Sequence, residues 1–246
     1  MIRPDEWYRT WFDSEYYHIL YKNRDFEEAE QFINNLIDLL KPKENSFFLD
    51  LGCGKGRHSL YLSHGGYNVL GVDLSLESIL IARQKRKRNL SFNKFDMRNT
   101  LAPMQFDYIV NLFTSFGYFD NEEDNFKVIK NVKEVLLPNG KFIIDFFNAE
   151  YVKNNLVAEE TKVIDDIQFN LKRSIVNNFV VKNIVFENKG IVHNHTEKVK
   201  LIGVSDFENY FMKAGLKIIN KFGDYNLNTF DVNDSKRLIL IAGLNP

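Results

Sequence analysis

A glycine-rich turn between two short apolar segments constrains this chain more than any other feature of its sequence. The first segment, Phe47 to Leu51, leads into Gly52, Gly54 and Gly56, and the second segment ends at Asp73. Glycine adopts positive φ and lets the backbone approach a ligand closely because it has no Cβ. Two strands around such a turn, with a carboxylate about twenty residues beyond it, form a layout that binds nucleoside cofactors. We therefore expect a cofactor site here, with Asp73 accepting hydrogen bonds from ribose hydroxyls.

The spacing of these glycines argues against a dinucleotide. A G-x-G-x-x-G fingerprint that began at Gly52 would need its last glycine at the position of Arg57. A pyrophosphate also favours a helix N-terminus without a nearby carboxylate, whereas Asp50 lies just before this turn. Asp50 suits a ligand that carries an ammonium group, so the turn favours a zwitterionic amino-acid moiety.

These segments resemble the first two motifs of the class I S-adenosylmethionine (SAM) dependent methyltransferases. The spacing of Asp50 and the three glycines is similar to the first motif, and Gly71 to Ser75 is similar to the second. The resemblance covers residues 46–148 best. It implies an α/β fold with a doubly wound, mostly parallel seven-stranded sheet (the Rossmann-like methyltransferase fold). It also implies SAM as cofactor and S-adenosylhomocysteine as product.

The same resemblance implies a set of cofactor contacts along the core. They are Asp50, Gly52, Cys53, Gly54, Gly56, Arg57, Asp73, Leu74, Asp96, Met97, Asn111 and Leu112. Asp96 would meet the exocyclic amine of adenine, and Met97 would cover the ring face. A strand-end cap and a core methionine are the alternative reading of these two residues.

The segment after the predicted fourth strand, Asn111 to Phe119, limits the choice of methyl acceptor. It lacks the Asn/Asp-Pro-Pro-aromatic tetrapeptide of methyltransferases that act on amino groups of adenine or glutamine, and it lacks the cysteine of the cytosine C5 enzymes. We expect Phe113, Phe116 and Tyr118 to line an apolar, aromatic acceptor pocket. Tyr118 is the predicted catalytic residue, in the sense of a group beside the acceptor, with strand-end packing as the alternative.

An aromatic leader, residues 1–42, precedes the first strand and includes an amphipathic helix from Phe26 to Leu40. Tyr17, Tyr21 and Arg24 lie at helical spacing, so one face could offer rings to a sulfonium and a guanidinium to a carboxylate. We expect the leader to act as a lid, with Tyr21 and Arg24 on the cofactor and Tyr17 on the acceptor. Simple packing of the rings onto the core is the alternative.

The predicted organisation is one methyltransferase domain over residues 1–246. Residues 43–150 form the SAM-binding core, in which helices are expected to begin at Ser75 and at Asp120 to Asn121, the second of them running to Leu137. Residues 204–246 supply a final helix, expected to begin with a capping box at residues 205–208, and two strands. Between them, residues 158–203 alternate in polarity like antiparallel strands and are expected to roof the acceptor pocket. His193 is a predicted pocket residue there, and His193 and His195 share one face of a strand. Exposed positions on a hairpin are the alternative for both.

The composition of the chain limits the classes of partner and cofactor that we expect. The net charge is −1, which argues against nucleic acid as a partner. The basic run Arg83 to Arg88 is expected to be a solvated helix end, with an RNA-binding patch as the alternative. The one cysteine excludes an internal disulfide, and no cysteine and histidine spacing suggests a metal site. The absence of a long apolar run or a signal sequence predicts a cytoplasmic protein with no membrane partner.

The predicted function is methyl transfer from SAM, by direct displacement, to nitrogen or oxygen of a small-molecule acceptor. It rests on the resemblance to the stand-alone small-molecule branch of the family, and a monomer or homodimer is expected. Three alternatives stay open: an RNA methyltransferase, a nicotinamide-linked oxidoreductase and a non-catalytic SAM-binding protein.

Overall fold

The computed structural model describes residues 6–22 and 26–245, and within them the chain forms eleven strands and eight helices. The larger sheet contains β1 (Phe47–Leu51), β2 (Asn68–Asp73), β3 (Leu90–Lys94), β4 (Phe106–Asn111), β5 (Leu136–Phe147), β10 (Leu216–Phe222) and β11 (Arg237–Leu244). The smaller sheet contains β6 (Glu159–Ile164), β7 (Ile167–Val176), β8 (Phe179–Asn188) and β9 (Ile191–Lys200). The helices are α1 (Trp7–Trp11), α2 (Glu15–Leu20), α3 (Phe26–Leu40), α4 (Arg57–His64), α5 (Leu76–Arg83), α6 (Glu122–Val135), α7 (Ala149–Asn155) and α8 (Val204–Ala214).

The larger sheet has the strand order β10-β11-β5-β4-β1-β2-β3. Strands β1 to β5 run parallel, and β11 is antiparallel to both of its neighbours. The predicted doubly wound, mostly parallel seven-stranded sheet is thus confirmed, and the four-stranded antiparallel sheet follows β5 as predicted. The strand order reverses between β1 and β4, and ligands of open α/β sheets bind beside such a point at the carboxyl ends of the strands.

Apolar side chains cover both faces of the larger sheet, as a parallel sheet requires. On one face the core includes residues of α6 and α8, among them Val128, Ile129, Phe207 and Phe211. On the other face it includes residues of α3, α4 and α5, among them Phe32, Leu36, Leu62 and Ile79. This two-sided packing fixes the strand ends and therefore the loops that leave them.

Helix ends follow local chemistry, with two corrections to the sequence-based bounds. The Ser75 hydroxyl accepts the Ser78 N–H at the predicted start of α5. Helix α8 was expected to begin with a capping box at residues 205–208, but Gly203 is its N-cap, and the Asp206 carboxylate accepts the Gly203 N–H at 2.9 Å. Helix α6 was expected to reach Leu137, but it ends at Val135 because Leu136 pairs with Phe106 in the sheet.

The smaller sheet is a meander of three tight hairpins. Each turn has two consecutive residues with positive φ, at positions 165–166, 177–178 and 189–190. Such turns match the twist of the flanking strands and favour Asn, Asp and Gly. One face of the sheet buries Phe169, Ile184 and Phe186 against Trp11 and Leu20. The leader therefore packs against the insertion as well as against the core.

Candidate active site

A cavity of about 700 Å³ lies at the carboxyl ends of β1, β2 and β4. Helices α1 and α2 of the leader form one wall, and residues of β8 and β9 form another. The cavity is continuous from the glycine turn to the segment that follows β4. One space can therefore hold a nucleoside cofactor and a second molecule next to it.

The glycine turn forms the floor of this cavity. Gly52 and Gly54 line it with φ of +84° and +52°, and the Gly54 N–H donates to Oδ2 of Asp73 at 2.8 Å. A Cβ at Gly54 would meet no atom within 4 Å, so open space lies above the backbone. Gly56 has a different task and does not line the cavity: a Cβ there would lie 2.5 Å from the ring of Phe92. It permits α4 to pack closely on the sheet.

The two acidic residues of the motifs occupy different places. Asp73 lines the cavity, and its Oδ1 accepts the Ser75 N–H at 2.9 Å. Asp50 is only 1% exposed and does not line the cavity; its Oδ2 accepts the Ser59 hydroxyl at 2.6 Å. Burial raises the pKa of Asp50 to about 6 and also raises the pKa of Asp73. A cation at the turn would stabilise the ionised form of both carboxylates.

Asp96 and Met97 line the far end of the cavity, where adenine is expected. The Asp96 carboxylate forms ion pairs with Arg98 at 2.7 Å and with Arg9 of the leader at 3.1 Å. Arg98 also contacts Glu6 at 3.1 Å. Burial alone would raise the pKa of Asp96, but Arg98 holds it below its usual range. The leader is thus tied to the adenine end by charges, and a contact between Asp96 and adenine stays a prediction.

The segment after β4 forms the opposite end. Phe113 and Thr114 line the cavity and both have positive φ, 56° and 63°, which is unusual for residues with a Cβ. The Phe113 N–H donates to Oδ2 of Asp145 at 2.8 Å, and the Thr114 N–H donates to the Asp145 carbonyl at 3.0 Å. Tyr118 lines the same end, and its hydroxyl donates to the Thr114 carbonyl. Buried Asp145 therefore stabilises the backbone conformation of Phe113 and Thr114, in the segment that carries the predicted acceptor residues.

The other predicted cofactor residues divide into two groups. Cys53, Arg57, Leu74, Leu112 and Tyr21 line the cavity, as does Tyr17 from the predicted acceptor set. Asn111 lies behind the wall, where its amide donates to the Leu51 carbonyl at 2.7 Å. Arg24 lies outside the described residues.

Two predicted pocket residues are corrected by the structure. Phe116 is 0% exposed and packs against Phe207 in the core, because the chain turns inward after Ser115. His193 does not line the cavity; its ring stacks on Phe186 with centroids 4.8 Å apart. The alternation along β9 points His193 and His195 to the same face, as predicted, but their rings belong to the packing between leader and insertion.

Among the cavity residues that sequence reasoning missed are His18, Lys182, Glu197 and Arg237. Lys182 and Glu197 are cross-strand partners in β8 and β9 and form an ion pair. Their opposite charges were visible in the sequence, but the face on which they lie was not. Arg237 begins β11, and only the pairing of β11 with β5 brings it to the cavity. The one signal in the sequence was the position of a residue relative to the ends of the predicted strands, where the cavity was expected.

The residues present fit a nucleoside that carries an amino-acid tail. Open space above Gly54 accepts a ligand, and Asp73 can still accept hydroxyl protons on its remaining lone pairs. Oδ1 of Asn111 is buried beside the turn without a hydrogen-bond partner in the described chain. No group of three or more His, Cys, Asp and Glu residues in the same ranges is placed to hold a metal ion. Among the described helices, none is both long and apolar enough to cross a membrane.

Comparisons with known proteins find similarity to methyltransferases. Residues 48–140 match the model of a methyltransferase domain. The putative methyltransferase YqeM of Bacillus subtilis is 34% identical over 50% of this chain and 53% of its own length, so the chain spans about half of that relative. A dTDP-3-amino-3,6-dideoxy-alpha-D-glucopyranose N,N-dimethyltransferase of Streptomyces fradiae is 22% identical over 80% of each chain.

Among solved structures, an S-adenosylmethionine-dependent methyltransferase from Clostridium acetobutylicum superposes with a TM-score of 0.78. It is 22% identical, and the match covers 94% of this chain and 96% of the other, which establishes the shared fold. Residues 48–140 thus match a methyltransferase domain, and nearly the whole chain shares the fold of that solved methyltransferase.

Proposed function

We propose that this chain transfers a methyl group from SAM to a nitrogen or oxygen atom of a small-molecule acceptor. The continuity of the cavity carries the proposal: Gly54 and Asp73 lie at one end, and Phe113 and Tyr118 lie at the other. A methyl group on a cofactor held at the first end would point into the aromatic end. The relative from Streptomyces fradiae is named for methylating the amino group of a nucleotide-linked sugar. That name favours an amine on a compact polar acceptor.

The residues of the chain supply placement and exclusion of water, because the cofactor brings both the methyl group and its leaving group. Asp73 and the backbone of Gly52 and Gly54 would hold the ribose and the amino-acid tail. In a direct displacement the bond from carbon to sulfur breaks as the bond to the acceptor atom forms, so the two reacting atoms need alignment. Phe113 and Tyr118 would provide a wall that aligns the acceptor.

The leader and the insertion would limit the access of water to the reacting end. Tyr17 and Tyr21 of the leader line the cavity together with Val180 and Val199 of the insertion. Removal of water strengthens interactions with a developing charge and suppresses hydrolysis. We infer that the leader acts as a lid over the acceptor and that residues 158–203 act as its roof.

Calorimetric titration with SAM, S-adenosylhomocysteine and NADH tests the cofactor half of this proposal. We expect binding of the first two and none of NADH. A screen of amino sugars, aliphatic amines, phenols and acids, followed by mass spectrometry for a gain of one methyl group, tests the acceptor half. Transfer RNA serves as the comparison substrate. Methylation of RNA alone, or no methylation by a chain that binds SAM, would refute a small-molecule methyltransferase.

A further inference from the structure

Arg237 stands at the acceptor end of the cavity and is held there by a buried carboxylate. Its Nε donates to Oδ1 of Asp145 at 2.8 Å, and its Nη2 lies 2.7 Å from the same oxygen. The Asp145 side chain is 0% exposed, whereas the Arg237 side chain is 20% exposed. The guanidinium therefore has one face toward the core and one edge toward the cavity that it lines.

The hydrogen bonds of Arg237 leave one nitrogen for a ligand. Nη2 also donates to the hydroxyl of Thr114 at 3.0 Å, so Nε and Nη2 are both engaged. In the described part of the chain, Nη1 makes no hydrogen bond. Guanidinium is a planar group whose donors point in fixed directions, so engagement of two nitrogens fixes the direction of the third.

Asp145 holds the Phe113 backbone and the Tyr225 hydroxyl as well as Arg237. Its second oxygen, Oδ2, accepts the Phe113 N–H at 2.8 Å and the Tyr225 hydroxyl at 3.2 Å. One carboxylate thus holds Arg237 and the left-handed backbone of Phe113 in a single arrangement. A group bound by Arg237 would lie at a set distance from the aromatic wall of the acceptor end.

We propose that Nη1 of Arg237 binds an anionic oxygen group of the methyl acceptor, a carboxylate or a phosphate, and that Asp145 is the positioning residue for this contact. Arginine binds such groups through charge-assisted hydrogen bonds that are stronger than neutral ones. A donor that is already oriented loses little freedom on binding. The inference rests on the proposed function, because it assigns the acceptor to this end of the cavity.

Anion binding to the complex with S-adenosylhomocysteine tests the site without a known acceptor. Inorganic phosphate and acetate are titrated in separate experiments. Phosphate represents an acceptor that carries a phosphate group, and acetate represents an acceptor that carries a carboxylate. We expect at least one probe to bind the wild-type complex and Arg237→Gln to weaken that binding by about tenfold or more. Arg237→Lys keeps the charge and should retain part of the affinity.

Arg173→Gln is the matched control. Arg173 is 18% exposed at its side chain and pairs with Glu160 at 2.6 Å, but it does not line the cavity. This variant should bind the probe anion like the wild type. Binding of S-adenosylhomocysteine to each variant shows that its cofactor site is intact. If S-adenosylhomocysteine did not bind the wild type, the proposed function would be overturned rather than the role of Arg237. Normal cofactor binding with no anion binding, or with equal anion binding in wild type and Arg237→Gln, would overturn the inference.

Discussion

The hydroxyl of Tyr21 donates a hydrogen bond to Oε1 of Glu197 at 2.7 Å. This contact joins the end of α2 to β9 across the wall of the cavity. Glu197 also accepts the indole N–H of Trp11 at 2.8 Å and pairs with Lys182. Burial alone would raise the pKa of Glu197, but the charge of Lys182 holds it below its usual range. An ionised carboxylate therefore fastens the leader to the insertion at neutral pH.

Glu197→Gln should loosen the leader. The substitution leaves Lys182 without its charge partner and weakens the hydrogen bonds from Tyr21 and Trp11, and loss of a partner in a shielded pair costs about 3 kcal/mol. We expect amide hydrogen exchange in residues 7–20 to become at least about tenfold faster. Glu160→Gln, which breaks an ion pair with Arg173 in the same sheet, should leave that exchange unchanged. Equal exchange in wild type and Glu197→Gln would show that other contacts hold the leader.

Asp73→Asn should weaken SAM binding while the fold persists. Asparagine is similar in size, but it lacks the charge that strengthens hydrogen bonds from ribose hydroxyls, a loss of about 1.5 to 3 kcal/mol or more than tenfold in affinity. Calorimetry measures the effect. Asp107→Asn is the control, because the Asp107 carboxylate also accepts a backbone N–H, from Phe47 at 2.8 Å, but lies outside the cavity wall. An unchanged affinity in folded Asp73→Asn would remove Asp73 from the site.

The sequence was sufficient for features that depend on neighbouring residues. The glycine turn, the start of α5 at Ser75 and the alternation of the insertion are local patterns, and the sheet followed from them. Contacts between distant segments were not accessible in this way. Asp145 and Arg237 are 92 residues apart, and they meet only through the antiparallel pairing of β11 with β5. Phe116 was misplaced for the same reason, since aromatic residues after a strand suit a core and a pocket equally well.

Gly54→Ala and Gly56→Ala should fail in different ways. Both residues have positive φ, which costs an alanine about 1 kcal/mol. The new methyl group at position 54 enters open space where the cofactor is expected, so SAM affinity should fall more than stability. At position 56 it would lie 2.5 Å from Phe92, so the main loss should be in stability. Urea unfolding and calorimetry on both variants separate the effects, and the reverse pattern would contradict this account of the turn.

His18 should make the protein sensitive to mild acid. Burial, aided by the charge of Lys55, lowers the pKa of His18 to about 4 from 6.5. Because the folded pKa is the lower one, the unfolded chain binds more protons between these values, and stability falls as the pH drops through this range. At pH 5 the partly buried His18 lowers the free energy of unfolding by about 1 to 2 kcal/mol, after allowance for its partial exposure.

His18→Phe should reduce the loss of stability between pH 7 and pH 5, measured by urea unfolding at both values. Asp50 acts in the opposite direction, because its folded pKa of about 6 is raised, so only the difference between variant and wild type isolates His18. His64→Phe, a change at an exposed histidine near the end of α4, is the control. An identical pH dependence in wild type and His18→Phe would contradict the prediction.

Tyr118→Phe should separate turnover from cofactor binding. The ring of Tyr118 packs edge-on against Trp7 and Phe12, with centroids 5.6 and 5.3 Å away, and phenylalanine keeps those contacts. The hydroxyl, which donates to the Thr114 carbonyl, is lost. Because that bond steadies the backbone at the acceptor end, we expect about a tenfold lower kcat, or 1.4 kcal/mol, with SAM affinity unchanged.

The measurement pairs steady-state rates on an acceptor from the screen with calorimetric SAM titration. Tyr210→Phe, which removes a hydroxyl contact with Glu122 away from the cavity, should alter neither quantity. The two outcomes for Tyr118→Phe have different meanings. A fall in kcat alone places the hydroxyl in the alignment of the acceptor, because cofactor binding does not depend on Thr114 in this arrangement. Parallel losses of rate and cofactor affinity would instead show that the hydroxyl supports the fold of the whole cavity.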